Sequence, residues 1–151
     1  MRRVRFHGIL CNNVGTLIDH KHEILYSFFN IDRIWDFLIS IEMSPLVELS
    51  FMPKVLASGQ TTVFNYEANV TSPKDYGQWA VLIRKLLEHA VERYRIDSMD
   101  SRLFEVWNEP NLRTFWTGTQ ADYFQLYRHT ARAIKEVDGH LQFSDAWIWC
   151  S

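Results

Sequence analysis

The sequence has few cysteines, no long apolar run and no excess of charge of either sign. Its two cysteines, Cys11 and Cys150, occur without a CxxC or a Cys/His ligand spacing, so we interpret them as free thiols. The 16 basic and 18 acidic residues are nearly balanced and scattered, which is not the charge distribution of a nucleic-acid binder. We therefore expect no nucleic acid among its partners.

Signals for secretion and membrane insertion are also missing. The first three residues are basic at positions 2 and 3, but Arg5, His7 and Gly8 interrupt the segment that follows, so it contains no apolar core of a signal peptide. No stretch predicts a membrane span. We expect no membrane partner, and a cytoplasmic or truncated product fits this start better than a secreted precursor.

The composition is that of a globular protein with many aromatic residues. The 151 residues are 47% hydrophobic and 23% charged, which predicts one domain over residues 1–151 with a sizeable core. Six Trp, six Tyr and ten Phe make up 15% of the chain. Aromatic side chains fill cores, and their flat faces also line sugar-binding clefts, so composition by itself leaves both uses open.

Predicted strands and helices alternate along the sequence. Strands are predicted at residues 4–10, 46–51, 103–107 and 141–145, and residues 11–30 and 60–71 are interpreted as loops. Helices are predicted at residues 31–41, after the Ser72 capping box as far as residue 94, and after the Thr119 box as far as residue 137. Asn30 is the expected cap of the first helix. This alternation predicts right-handed crossovers and a parallel sheet.

The type of α/β fold follows from what the strands lack and from the chain length. No glycine-rich fingerprint follows a strand, which argues against a doubly wound nucleotide-binding domain. A complete (β/α)8 TIM barrel needs at least about 200 residues. We therefore predict a partial (β/α)8 barrel, whose two outer strands have unpaired edges. A homo-oligomer or a partner chain is expected to cover these edges.

Polar residues at a strand end mark the candidate site. The apolar run 103–107 ends abruptly in Asn108, Glu109 and Pro110, which places a carboxylate at the carboxyl end of a strand, where α/β enzymes hold their catalytic groups. The alternative is a turn that only caps the strand. Arg5 and His7 are two residues apart and share one face of the first strand, either in solvent or in the mouth of a barrel.

Three further polar features of the sequence have structural explanations. Glu48 interrupts an apolar run, and we favour a structural ion pair, with Arg5 as a candidate partner, over a catalytic role. His20 and His22 lie in an Asp-His-Lys-His cluster, but they point apart in an extended segment, so we expect solvated residues and no metal site. His89 lies on a helix flank and is expected to be structural.

Four groups of motifs follow one another along nearly the whole chain. They are Arg5-Phe6-His7-Gly8, residues 48–53 with 57–59, residues 69–76, and residues 104–112 followed by Phe115-Trp116. In this order they resemble glycoside hydrolase family 39 of clan A, which contains β-xylosidases and α-L-iduronidases. The Ser50–Pro53 and Asn69–Thr71 motifs are closer to those of the bacterial β-xylosidases.

The resemblance implies a TIM barrel without a cofactor, a xylo-oligosaccharide as substrate, and a role for each of five residues. Glu109 would be the general acid/base, and Asn108 would hydrogen-bond the 2-hydroxyl of the sugar. His7 would contact ring hydroxyls, Arg5 would support the carboxylate of the nucleophile, and Phe64 would line the subsite.

The sequence also departs from the family pattern. A retaining glycosidase needs two carboxyl groups about 5–5.5 Å apart, and the family carries its nucleophile on the seventh strand, whereas this sequence resembles strands two to five. Asn12 and Asn13 replace an acidic pair of the family. Among internal carboxylates, Glu105 lies four residues before Glu109 and is expected to be too deep, while Glu48 and Asp145 have no motif support.

We therefore expect a retaining hydrolase of β-xylosidase type in which the acid/base is present and the nucleophile is missing from this chain, so the isolated chain is expected to be inactive. Three alternatives stay open at this point. They are a carbohydrate-binding protein without turnover, a degenerate product whose only property is folding, and an α-L-iduronidase-like hydrolase.

Overall fold

A computed structural model describes residues 2–95 and 102–145. Its strands and helices, numbered in chain order, are β1 (Arg2–Phe6), a 3-10 turn (Asn12–Val14), β2 (Leu17–His20), β3 (Glu23–Tyr26), α1 (Phe29–Ser40), β4 (Met43–Leu49), β5 (Thr62–Val63), β6 (Ala68–Asn69), α2 (Tyr76–Tyr94), β7 (Arg102–Val106), α3 (Gln120–Val137) and β8 (Gln142–Asp145).

The central sheet contains four parallel strands in the order β1-β4-β7-β8. A helix connects each strand of this sheet to the next, as the alternating sequence pattern predicts. This arrangement confirms the predicted class, a partial (β/α)8 barrel. Cys150 and the side chain of Asp145 lie outside the described part of the structure.

The two faces of the sheet have opposite character because side chains alternate along each strand. Val47, Leu49 and Phe104 are buried in the core that the helices cover. On the other face, Glu48 of β4 lies directly opposite Glu105 of β7 in the strand register. Arg5 of β1 reaches toward both carboxylates, so this second face carries a row of charged side chains.

Helices α2 and α3 pack against each other through buried side chains. Trp79 of α2 is fully buried, and its indole Nε1 donates to the Thr130 hydroxyl of α3 at 2.8 Å. Helix α1 packs beside α2, where His89 Nε2 lies 2.7 Å from an oxygen of Asp32, consistent with the structural role expected for His89.

Two of the three predicted helix caps are wrong. Asp75, not Ser72, caps α2, because its carboxylate accepts from the backbone N–H groups of Gly77 and Gln78. Helix α1 begins at Phe29, and the Asn30 side chain donates to the Val14 carbonyl instead of capping the helix. The predicted Thr119 capping box at the start of α3 is confirmed.

Two segments interpreted as loops contain hairpins. β2 and β3 pair antiparallel around Lys21 and His22, which both have positive φ angles, as a tight two-residue hairpin turn requires. Neither position carries the Asn-Gly or Asp-Gly signal of such turns, so the pattern was missed. β5 and β6 form a second, shorter hairpin within residues 60–71.

The boundaries of two strands differ from the prediction by more than one residue. β1 ends at Phe6 rather than at residue 10, because Gly8 adopts a φ of 84° and its carbonyl accepts from the Cys11 N–H in a turn. β4 begins at Met43 and includes Pro45, which was expected to precede the strand. In the parts of the chain that the structure describes, no helix is both long and apolar enough to cross a membrane.

Candidate active site

The site is built around the end of β7, where the backbone turns sharply. Trp107 and Glu109 have φ angles of 67° and 40°, and the backbone bends at residues 107 and 108. The buried Trp107 ring fixes this turn, because its Nε1 donates to the Phe115 carbonyl at 2.8 Å. Asn108 is buried and Glu109 is exposed. The turn therefore presents the Glu109 carboxyl group at the carboxyl ends of the strands.

Arg5 connects three polar side chains below this turn. Its Nε donates to Glu105 Oε2 at 2.7 Å, and its Nη2 donates to Glu105 Oε1 and to Asn108 Oδ1, both at 3.2 Å. The same Nη2 lies 2.7 Å from Glu48 Oε2, so the suggested pairing of Arg5 with Glu48 is present. The hydrogen bond to Glu105, opposed by desolvation and aided by nearby carboxylates, raises the pKa of Arg5.

Glu48 is fully buried, and its two carboxylate oxygens have different surroundings. Oε1 accepts a hydrogen bond from the Ser50 hydroxyl, whereas Oε2 faces Arg5 and lies 3.6 Å from His7 Nδ1. Burial raises the pKa of Glu48 to about 7, although the Ser50 hydrogen bond and the charge of Arg5 act in the opposite direction. The carboxylate therefore changes charge near neutral pH.

An aromatic wall stands beside the charged residues. Phe64, at the tip of the β5–β6 hairpin, is 46% exposed, and its ring stacks on His7 with centroids 5.8 Å apart and an interplanar angle of 8°. The Tyr66 ring also stacks on the Phe64 ring, with the two centroids 5.2 Å apart. Phe51 and Phe115 also contact the Phe64 ring. These contacts hold a flat apolar surface open to solvent at the same end of the sheet.

The five residues expected to form the site lie together at this end, but not all of them touch. Arg5 contacts Asn108, and His7 contacts Phe64. In residues 2–95 and 102–145, the Glu109 carboxylate forms no hydrogen bond or ion pair. The negative charge of Glu109 nonetheless acts to raise the pKa of both Arg5 and His7.

The pKa of His7 is lowered, in contrast to the raised pKa values of Arg5 and Glu48. Burial is the main cause that lowers the pKa of His7, and the charge of Arg5 lowers it further. Neutral imidazole can accept as well as donate a hydrogen bond, which suits contact with sugar hydroxyls. Among the described residues, no group of three His, Cys, Asp or Glu side chains could hold a metal ion.

Several participants were not identified from the sequence. Glu105 was considered only as a nucleophile, whereas it is the bidentate partner of Arg5. No local pattern signals this pairing, because Arg5 and Glu105 are 100 positions apart in the sequence. Ser50, Phe51 and Phe115 were also missed as contacts, and they are brought to the site only by the folding of separate loops.

Comparison with known proteins identifies the family. Residues 1–146 match the model of glycosyl hydrolases family 39. The chain belongs to glycosyl hydrolase family 39. This result confirms the resemblance inferred from the motifs of the sequence.

The relatives within family 39 include β-xylosidases. The chain is 48% identical to a β-xylosidase of Caldicellulosiruptor saccharolyticus over 96% of its own length and 31% of that protein. It is 46% identical to a β-xylosidase of Geobacillus stearothermophilus over 97% of its length and 32% of that protein. The chain thus spans about a third of the length of the curated relatives it matches.

A solved family 39 structure has the same arrangement of strands and helices. The crystal structure of a monomeric β-xylosidase from Caulobacter crescentus CB15 superposes with a TM-score of 0.89 at 38% identity. The match covers 94% of this chain and 29% of the solved chain. The four strands described above therefore correspond to part of a family 39 barrel.

Proposed function

We propose that this chain supplies the acid/base side of a retaining β-xylosidase site, which removes terminal β-D-xylosyl residues from xylo-oligosaccharides. The observation that carries the proposal is the pair at the end of β7. Asn108 is buried with its side-chain oxygen held by Arg5, and the adjacent Glu109 carboxyl group is exposed and unpaired among the described residues. The family membership and the named β-xylosidase relatives support this choice of substrate.

Glu109 and Asn108 have separate tasks in this proposal. Glu109 donates its proton to the departing glycosidic oxygen and later removes a proton from the attacking water. The Asn108 oxygen already accepts from Arg5, so its NH2 group is the part of the amide left to donate to a sugar hydroxyl. A hydrogen bond to the 2-hydroxyl that strengthens in the transition state lowers the barrier.

Phe64 and His7 complete the sugar-binding surface. The exposed ring of Phe64 offers a flat apolar face to a pyranose, and its stacking on His7 fixes the orientation of both rings. His7, kept neutral by burial and by Arg5, provides a hydrogen-bonding edge for ring hydroxyls. The pair therefore favours a sugar over a charged or fully apolar ligand.

The nucleophile is proposed to come from outside these 151 residues. Glu105 is held by two hydrogen bonds from Arg5, and Glu48 is fully buried against Arg5 and Ser50. Neither carboxylate is free to attack an anomeric carbon. For the isolated chain, the same geometry supports sugar binding without turnover.

A segment exchange tests the proposal. Residues 1–146 replace the matching segment of the C. saccharolyticus β-xylosidase, and hydrolysis of xylobiose and of dinitrophenyl β-xyloside is measured. Glu109→Ala should lower kcat/KM for xylobiose by about 10²–10⁴-fold, and much less for the dinitrophenyl substrate, whose leaving group needs no proton. Glu88→Ala, at an exposed position of α2, is the matched control and should change neither rate.

Two results would reject the assignment. A folded, active exchange protein in which Glu109→Ala slows both substrates equally would show that Glu109 is not the acid. An exchange protein that cleaves an α-L-iduronide but no β-xyloside would show that the proposed substrate class is wrong. For the 151-residue chain alone, we expect no xyloside hydrolysis above that of Glu109→Ala.

A further inference from the structure

We propose that Glu48 is a positioning residue, which holds the Arg5 guanidinium so that the Asn108 amide keeps its NH2 group toward the sugar. This inference rests on the proposed function in one respect, namely that Asn108 binds a sugar hydroxyl. It concerns a residue that contacts neither the sugar nor the reacting atoms. Glu48 acts through Arg5, and Arg5 acts through Asn108.

The first step is the confinement of the Glu48 carboxylate. The side chain is fully buried, the Ser50 hydroxyl occupies Oε1, and Oε2 lies 2.7 Å from Arg5 Nη2. Oε2 accepts no directed hydrogen bond from any described residue, so its charge acts on the guanidinium as an ion-pair partner. A carboxylate fixed on one side in this way has little freedom to follow a moving arginine.

The second step is that two carboxylates contact the same guanidinium, that of Arg5. Glu48 and Glu105 lie opposite each other on adjacent strands, and Arg5 contacts both. Glu105 takes Nε and Nη2 in a bidentate pair, which sets the plane of the guanidinium. Glu48 attracts the same Nη2 that donates to Asn108 Oδ1, so it fixes the donor on which the amide orientation depends.

The third step concerns the orientation of the amide. Asn108 is 4% exposed, and a reversed amide would place its NH2 group against the NH2 groups of Arg5. The orientation that leaves NH2 for the sugar is therefore enforced only while Arg5 stays in place. A buried ion pair contributes little net stability, so the Glu48 charge is better explained by this orientation than by folding.

The charge on Glu48 depends on pH and on several neighbours. Burial raises its pKa to about 7. The titratable groups that interact with it are Arg5 and His7 of the β1 segment, Cys11, Tyr66, and Glu105 and Glu109 of the β7 segment. Below this pH the Glu48 carboxylate is protonated, so its ion pair with Arg5 is lost. Sugar binding should consequently weaken as pH falls from 8 to 6.

The experiment measures xylose binding by the 151-residue chain between pH 6 and 8. Calorimetry gives the affinity, and NMR follows the side-chain NH2 of Asn108. Glu48→Gln keeps the volume and removes the charge, so it should bind xylose about tenfold more weakly at pH 8 and show no pH step. The matched control Glu88→Gln changes an exposed carboxylate of α2 and should retain both the affinity and the step.

A second variant separates positioning from simple structural support. The Ser50 hydrogen bond lowers the pKa of Glu48, so Ser50→Ala should move the pH step to higher pH while leaving the charge itself in place. His7→Gln should leave the step present, because His7 is not the titrating group in this proposal. Ser50→Ala also keeps the inference testable if Glu48→Gln fails to fold.

The outcomes distinguish this inference from the proposed function. Unchanged xylose affinity and an unchanged pH step in folded Glu48→Gln would overturn the positioning role, as would an unmoved step in Ser50→Ala. If the unmodified chain binds no xylose, the sugar-binding part of the proposed function fails. The positioning role is then decided in the free chain, where Glu48→Gln must shift the Asn108 NH2 and Arg5 Nε–H resonances at pH 8 and remove their pH dependence.

Discussion

The guanidinium of Arg5 donates to the side-chain oxygen of Asn108 at 3.2 Å, joining two residues that are 103 positions apart in the sequence. Arg5 lies on β1 and Asn108 follows β7, with β4 between them in the sheet. Formation of this hydrogen bond therefore requires three parallel strands in the correct register. The candidate site and the central sheet depend on the same contacts.

Loss of Arg5 should destabilise the fold. Arg5→Ala removes the cation shared by Glu48 and Glu105 and leaves one of these carboxylates fully buried without its charge partner. Because the Arg5 side chain is 38% exposed, we expect a loss of about 2 kcal/mol in the free energy of unfolding at pH 8, less than for a fully buried pair. Urea denaturation measures it.

The matched control for this change is Arg132→Ala. The Arg132 side chain is 80% exposed and lies 4.0 Å from Glu136, so its removal should change the unfolding free energy by less than about 0.5 kcal/mol. Equal effects of Arg5→Ala and Arg132→Ala would show that the buried carboxylates do not depend on Arg5.

Stability should depend on pH through Glu48. The pKa of this group is about 7 in the folded chain and near its ordinary value of 4.5 when unfolded, so the folded chain binds more protons between these values. The stability that the protonated Glu48 contributes to the folded chain is fully present below pH 4.5 and is lost as pH rises through about 7. It amounts to at most about 3 kcal/mol. Urea midpoints measured from pH 4.5 to 8 test this.

Glu48→Gln isolates this contribution from that of His7. The lowered pKa of His7 acts with the opposite sign, since the folded chain binds fewer protons there and stability rises as pH increases through the unfolded value. Subtracting the variant from the unmodified chain removes the His7 part. Glu48→Gln should gain stability relative to the unmodified chain as pH rises, and parallel curves would contradict the assigned pKa.

Much of the order of strands and helices was predictable because it follows from local hydrophobic periodicity. The alternating strand and helix patterns predicted the order of the main elements, and the Thr119 capping box predicted the start of α3. The β2–β3 hairpin was not predictable in the same way. Its turn uses Lys21 and His22 at positive φ, where sequence rules expect Gly, Asn or Asp.

The sequence predicted that Asn108 and Glu109 follow a strand, but it did not predict the contacts within the candidate site. The end of β7 was located correctly, with Asn108 buried and Glu109 exposed. The pairing of Glu105 with Arg5 depends on the strand order β1-β4-β7, which no local pattern contains. For the same reason, the stacking of Phe64 on His7 could not be derived, since it joins two separate loops.

The cap of α2 can be tested by two alanine variants. Asp75→Ala removes an oxygen that accepts from Gly77 N at 2.7 Å and from Gln78 N at 3.2 Å, so it should cost about 1 kcal/mol of unfolding free energy. Ser72→Ala should cost less than half as much, because Ser72 does not cap the helix and its hydroxyl contacts the exposed Ser58. Thermal and urea unfolding measure both, and the reverse ranking would restore Ser72 as the cap.

Self-association is the last prediction, and we propose a second copy of this chain as the partner. Among the described residues, β1 pairs only with β4, and the neighbouring helix α1 exposes Phe29 by 65% and Phe37 by 61%. An edge strand can pair with a strand of another molecule, so a second copy can pair with β1 while it buries the two exposed rings of α1. Light scattering should show a dimer that Phe37→Glu weakens at least tenfold, while Ala121→Glu, which adds the same charge on α3, leaves it intact. A stable monomer of the unmodified chain at high concentration would count against this pairing.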